Sequence, residues 1–191
     1  WDHPTDDLFG KFSTNERIVK PMENFLNDEV YHYHSKIIWK KPGDGGFDWH
    51  QDYGYWYNNA CLYPDMASCF IMLDNATKEN GCLKVLKGTH KVGRIGHSVS
   101  DTPEQTADME RIAELEKRHE TVFIEAKKGD TLFFHANLLH SSDANKSDSS
   151  RRILIVCFNT KSNNPFKEAG HASYTPLKMS SFNSIMEYQI D

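Results

Sequence analysis

From Tyr31 to Asn159 the chain is cut into short strand-forming runs by turn signals, and this rhythm restricts the folds open to it. Tyr31–Lys40 is rich in aromatic and β-branched residues, which favour a pleated surface. A second short strand is expected over Phe47–Asp52, followed by Ala67–Asp74, Cys82–Leu86, Val122–Glu125, Thr131–Phe134 and Arg151–Asn159. Between them Pro42-Gly43-Asp44-Gly45-Gly46, Asn75–Gly81, Lys87–His90 and Lys127-Lys128-Gly129-Asp130 read as turns. About seven or eight strands, with no alternation of strand and helix, predict a mainly β fold: a two-sheet jelly roll or barrel.

Helix is peripheral in this reading. Within 16–30, Ile18, Val19, Met22, Phe25 and Leu26 recur at helical spacing, so a short amphipathic helix is expected that ends before the polar Asn27-Asp28-Glu29. The polar stretch 103–120 carries a thin apolar stripe of Met109, Ile112, Ala113 and Leu115. It reads as one inserted surface helix, capped by Thr102, with Pro103 at its first position and Glu114 facing Arg118. Residues 53–66 read as an aromatic loop, and the tail 160–191 as mostly irregular.

The chain has 191 residues, enough for a single domain with a real core. It begins at Trp1, and the native N-terminus is expected to lie upstream. Net charge is −5 with both signs dispersed, which argues against a nucleic-acid binder. No apolar run reaches membrane-spanning length. Four cysteines without a CxxC pair fit buried thiols and a reduced, cytoplasmic setting. A monomer or weak homo-oligomer is expected.

One constellation carries chemistry. In an extended strand His50 and Asp52 project to one face, while Trp49 and Gln51 point to the other. His140, after Leu138-Leu139, can return to the same end of a barrel. Two imidazoles and one carboxylate with open coordination positions are the ligand set of non-haem Fe(II) oxygenases. Arg151 and Arg152 open the last apolar strand, so one of them must point inward. A buried guanidinium needs an acidic partner, and a dicarboxylate co-substrate would supply one.

The surrounding motifs are more specific than the triad. Lys40-Lys-Pro-Gly43, Trp49-His-Gln-Asp52, Glu79-Asn-Gly-Cys-Leu83, Lys87-Gly-Thr-His-Lys91, Gly129-Asp-Thr-Leu-Phe-Phe-His135 and Leu139-His-Ser-Ser142, with Asn145 and Arg151, occur in that order. Across about residues 31–160 the chain resembles the phytanoyl-CoA dioxygenase family of Fe(II)- and 2-oxoglutarate-dependent oxygenases, including its ectoine hydroxylase-like members. The resemblance implies a double-stranded β-helix, a cupin-like jelly roll, forming a single oxygenase domain. His50, Asp52 and His140 match the iron ligands. Arg151 matches the arginine that binds the distal carboxylate of 2-oxoglutarate, and Ser142 its hydroxyl partner. Lys36 and Gln51 match polar groups near the other end of the co-substrate, although parity turns Gln51 away unless the strand ends there. Phe70 sits where relatives place an aromatic residue beside it. The implied reaction uses O2, releases succinate and CO2, and hydroxylates a small-molecule or acyl-type metabolite. Asp52 disfavours halogenation, because related halogenases carry a small residue there.

His135 competes with His140, but only His140 has the family spacing to Arg151. His34, His90 and His97 are expected to be structural or loop residues, with His90 helping to close the pocket. Of the aromatic group Tyr53, Tyr55, Trp56 and Tyr57, which can line a substrate pocket or serve as core, Tyr53 and Trp56 are the preferred substrate-binding candidates. Two rival functions remain: a catalytically silent jelly-roll metal-binding or regulatory protein, and a cupin-like iron enzyme that does not use 2-oxoglutarate.

Overall fold

Alternation of apolar side chains along the last strand fixes both faces of the main sheet. The computed structural model describes residues 1, 3–98 and 106–189. Its strands are β1 (Val30–Lys40), β2 (Phe47–His50), β3 (Met66–Met72), β4 (Leu83–Leu86), β5 (His97–Ser98), β6 (Thr106–Ala107), β7 (Thr121–Ile124), β8 (Thr131–His135), β9 (His140–Ser142) and β10 (Arg151–Thr160). The helices are α1 (Leu8–Thr14), α2 (Glu16–Leu26), α3 (Asp52–Trp56) and α4 (Met109–Glu116). Two four-stranded sheets result, ordered β1-β10-β3-β8 and β2-β9-β4-β7, with antiparallel pairing throughout. This is the mainly β, double-sheet jelly roll expected. Among the described residues no helix is long and apolar enough to cross a membrane.

On β10, Ile153, Ile155 and Cys157 turn into the space between the sheets, where they meet Phe70, Leu83, Val85 and Phe134. Leu154, Val156 and Phe158 take the opposite face and bury Ile18, Val19 and Met22 of α2. This period of two is the geometry of a strand covered on both sides. It also sorts the arginines: Arg151 shares the inward parity and is buried, while Arg152 is exposed and paired with Asp74 at 2.8 Å. On β3 the inward set is Met66, Ser68, Phe70 and Met72.

β1 switches phase. Tyr31 and Tyr33 point inward, the register slips between His32 and His34, and His34, Lys36 and Ile38 then face the interior. An extra residue in one strand of a pair does this by rotating every following side chain to the other face.

The helix expected to stop before Asn27 does so: α2 ends at Leu26, where Asn27 takes a left-handed conformation (φ 55°), and a second helix, α1, precedes it. Two expectations are corrected. Residues 53–66 are not simply a loop, because α3 and a 3₁₀ turn over Tyr57–Asn59 occupy the first part. The inserted helix is capped by Asp108, whose carboxylate accepts from the Glu110 and Arg111 amides. Thr102, Pro103, Glu104 and Gln105 lie outside the described residues. The insertion packs on the outer face of the smaller sheet, burying Ile112 against a cluster that includes Trp49, Leu86 and Leu139. Arg118 lies 3.3 Å from Glu114.

Candidate active site

Strand register brings the two histidines together. His50 on β2 is the cross-strand partner of His140 on β9, and their rings lie 4.2 Å apart. Asp52 arrives differently from the strand pair expected. β2 ends at His50, Gln51 is extended (φ −108°, ψ 132°), and Asp52 is the first residue of α3. The extended Gln51 still returns residue 52 to the side of residue 50. Asp52 Oδ1 lies 3.9 Å from His50 Nε2 and 3.6 Å from His140 Nε2. The three candidate ligand atoms all fall within 4.8 Å of one another.

The donor chemistry suits a divalent metal. His50 Nδ1 lies 2.7 Å from the Asp48 carbonyl, and His140 Nδ1 lies 2.9 Å from the Leu138 carbonyl. A carbonyl can only accept, so each Nδ1 carries the hydrogen and each Nε2 lone pair turns to the shared point. Ser68 Oγ donates to Asp52 Oδ2 at 2.8 Å, leaving Oδ1 for the cluster. Burial holds His50 below its ordinary range, with help from His140. Burial works to raise Asp52, but His140, His50 and Lys36 outweigh it and keep it ionised. A lone pair from each Nε2 and an ionised carboxylate are what a metal needs from such a set.

The triad forms part of the lining of a cavity of about 370 Å³. Ser142, Arg151, Phe70, Lys36 and Trp56 line the same cavity. Ser142 follows His140 by two on β9 and shares its face. Arg151 is 3% exposed and its Nε has no hydrogen-bond partner. Burial pushes the guanidinium below its usual range. A single carboxylate, planar like the guanidinium, would satisfy such a group bidentately. Phe70 stacks edge-on to Phe134 at 4.8 Å and forms an apolar wall.

Two candidate residues turn their polar groups elsewhere, although Gln51 borders the cavity. Gln51 donates to the Gly93 and Asn137 carbonyls and accepts from Ile95 N, so its amide ties the 93–95 segment to Asn137 and neither hydrogen is free for a co-substrate. Tyr53 turns away because it lies on a helix. Asp52, Tyr55 and Trp56 share one face of α3 at i, i+3 and i+4, and all three line the cavity. Tyr53 packs on Tyr57 at 5.9 Å and donates its hydroxyl to the Leu62 carbonyl at 2.6 Å.

Of the remaining histidines, His135 accepts from the Asn137 amide and stays outside the triad. His90 is exposed and does not line the cavity. His97 does line it, and its Nε2 accepts from the Gln51 amide at 3.0 Å, bracing the junction between β2 and α3. Sequence reasoning missed Ser68, His171 and Lys40, and it ranked Tyr55 below Tyr53. Ser68 carried a signal: it is the polar residue at an inward position of an otherwise apolar strand. His171 comes from the irregular tail, where no periodicity marks it.

Comparison with known proteins follows the same lines. The family model described as phytanoyl-CoA dioxygenase matches residues 1–153. Phytanoyl-CoA dioxygenase 1 of Oryza sativa subsp. japonica is 32% identical over 165 residues, covering 81% of this chain and 53% of the relative. Ectoine dioxygenase of Sphingopyxis alaskensis is 30% identical over 182 residues, covering 88% of this chain and 59% of the relative. The chain thus spans little more than half the length of either. The crystal structure of EctD from S. alaskensis with 2-oxoglutarate and 5-hydroxyectoine superposes with a TM-score of 0.79 at 25% identity, covering 91% of this chain and 64% of that one.

Proposed function

This chain belongs to the phytanoyl-CoA dioxygenase family, and from that premise we propose that it is an Fe(II)- and 2-oxoglutarate-dependent dioxygenase hydroxylating a small-molecule or acyl-type metabolite. The observation that carries the proposal is the convergence of His50, Asp52 and His140 in a cavity that also holds the unmatched Arg151 guanidinium. Iron bound there would supply the activation of O2 that drives oxidative decarboxylation of 2-oxoglutarate to succinate and CO2. The protein groups orient and exclude. Ser68 fixes the Asp52 carboxylate, the Asp48 and Leu138 carbonyls fix the imidazole tautomers, and Arg151 with Ser142 binds the distal carboxylate. Phe70 and Phe134 keep water from the co-substrate. Tyr55 and Trp56 form the substrate side of the pocket, beside Asp52 on the same helix face.

The test is succinate release from 2-oxoglutarate by the Fe(II)-loaded protein over a panel of amino-acid, compatible-solute and acyl substrates. Substrate-dependent succinate that disappears in Asp52→Ala is the expected result. Bound iron without succinate on any substrate would favour the silent metal-binding protein. Product formed without 2-oxoglutarate would favour the cupin-like alternative.

A further inference from the structure

We propose that Lys40 is a positioning residue for the distal carboxylate of 2-oxoglutarate, acting through Ser142; the inference rests on the co-substrate assigned above. Lys40 ends β1 as the register partner of Arg151 on β10, and both side chains are buried. Its Nζ donates to Ser142 Oγ at 2.8 Å and to the Asp143 carbonyl at 2.6 Å. An ammonium has donors only, so Ser142 Oγ must accept from it. The Ser142 hydrogen is thereby aimed away from Lys40, and no acceptor among the described residues takes it. Ser142 and Arg151 line one cavity, each with a polar hydrogen lacking a protein acceptor. An anion placed there would meet a guanidinium and a hydroxyl already polarised by a buried cation, which strengthens the bond it donates.

The surroundings are built for this lysine. Asn145 Nδ2 donates to the Lys40 carbonyl at 3.2 Å, fixing the end of β1. Gly81 holds φ at +73°, and a Cβ there would lie 2.3 Å from the Asp143 carbonyl oxygen and 3.2 Å from Lys40 Nζ. Only glycine takes that backbone while leaving the ammonium its place. The Phe47 ring lies 5.3 Å from Nζ, a cation–π contact in a dry setting.

The experiment is anaerobic calorimetric titration of the Fe(II)-loaded protein with 2-oxoglutarate and with 2-oxopentanoate, which lacks the distal carboxylate. Lys40→Met keeps the stem volume and removes the charge. It should weaken 2-oxoglutarate binding about tenfold or more, the worth of a charge-assisted hydrogen bond, and leave 2-oxopentanoate unchanged. In a Ser142→Ala background the same change should add little. Equal losses for the two acids, an unchanged 2-oxoglutarate affinity, or fully additive losses with Ser142→Ala would each overturn the inference. Lys40→Gln is the second variant should Lys40→Met fail to fold: it keeps a donor for Ser142, and its smaller loss must still be confined to 2-oxoglutarate. A wild-type protein that binds Fe(II) but neither acid overturns the co-substrate assignment itself, and the inference falls with it.

Discussion

Replacing Arg151 by Met should strengthen the fold and destroy co-substrate binding in one step. The methionine keeps most of the apolar stem volume while removing a buried charge. In the unliganded protein Arg151 Nε has no acceptor, and burial disfavours the charged guanidinium. Leaving such a donor unsatisfied costs about 1–3 kcal/mol, so the variant should be more stable by about 1 kcal/mol or more. For a chain of this size that is a rise in Tm of roughly 2–4 °C per kcal/mol. The opposite holds for binding. Two charge-assisted hydrogen bonds from one guanidinium contribute about 3 kcal/mol or more, so the Kd for 2-oxoglutarate should rise at least about a hundredfold. Calorimetric melting with and without saturating 2-oxoglutarate checks both limbs. The wild type should show a large ligand-induced increase in Tm, and Arg151→Met a higher baseline with almost none. A variant that melts lower and still binds 2-oxoglutarate like wild type would refute the reasoning at both points.

Three further outcomes are expected. Ser68→Ala removes the hydroxyl that holds Asp52 Oδ2, and Fe(II) affinity measured by competition with a fluorescent chelator should fall about tenfold. Gly54→Ala places a Cβ 2.2 Å from the His97 ring; the helix or the ring must shift, so Fe(II) affinity should drop although alanine raises helix propensity. Asp74 is held below the usual carboxylate range by its hydrogen bonds from Arg152. A depressed folded-state pKa gives stability that is present above the unfolded value and lost as pH falls through the folded one. Asp74→Asn should therefore cost about 1 kcal/mol or less at neutral pH, with the gap to wild type closing below about pH 4 in denaturant titrations.

How far the site could be read from sequence depends on where its residues sit. Ile153, Ile155 and Cys157 alternate with Leu154, Val156 and Phe158, so the two-faced β10 and the inward turn of Arg151 follow from parity. Phe70 follows in the same way. Asp52 and Tyr53 show the limit. Residues 52–56 have no length over which helical period can declare itself, yet one turn of helix decides that Tyr55, rather than Tyr53, faces the cavity. Gln51 shows a second limit: the strand ends before it, but its own extended backbone keeps the alternation going and turns its amide to Gly93 and Asn137. Lys40 was hidden by the slip in β1, because parity counted from Tyr31 puts it on the wrong side. His171 depends on the path of an irregular tail, which no local pattern encodes.

The slip in β1 has a further consequence. The inward face of β1 is written in two reading frames, Tyr31 and Tyr33 before the slip and His34, Lys36 and Ile38 after it. Tyr33 is the extra residue, so deleting it would close the bulge and leave His34 opposite Cys157, still facing the cavity. Lys36 and Lys40 would keep their places, while Trp56, which lines the cavity, would lose the ring that packs on it at 5.5 Å. A single-codon deletion at the bulge would thus loosen the apolar side of the pocket and spare its charges, a route to new ligands that point substitution does not offer.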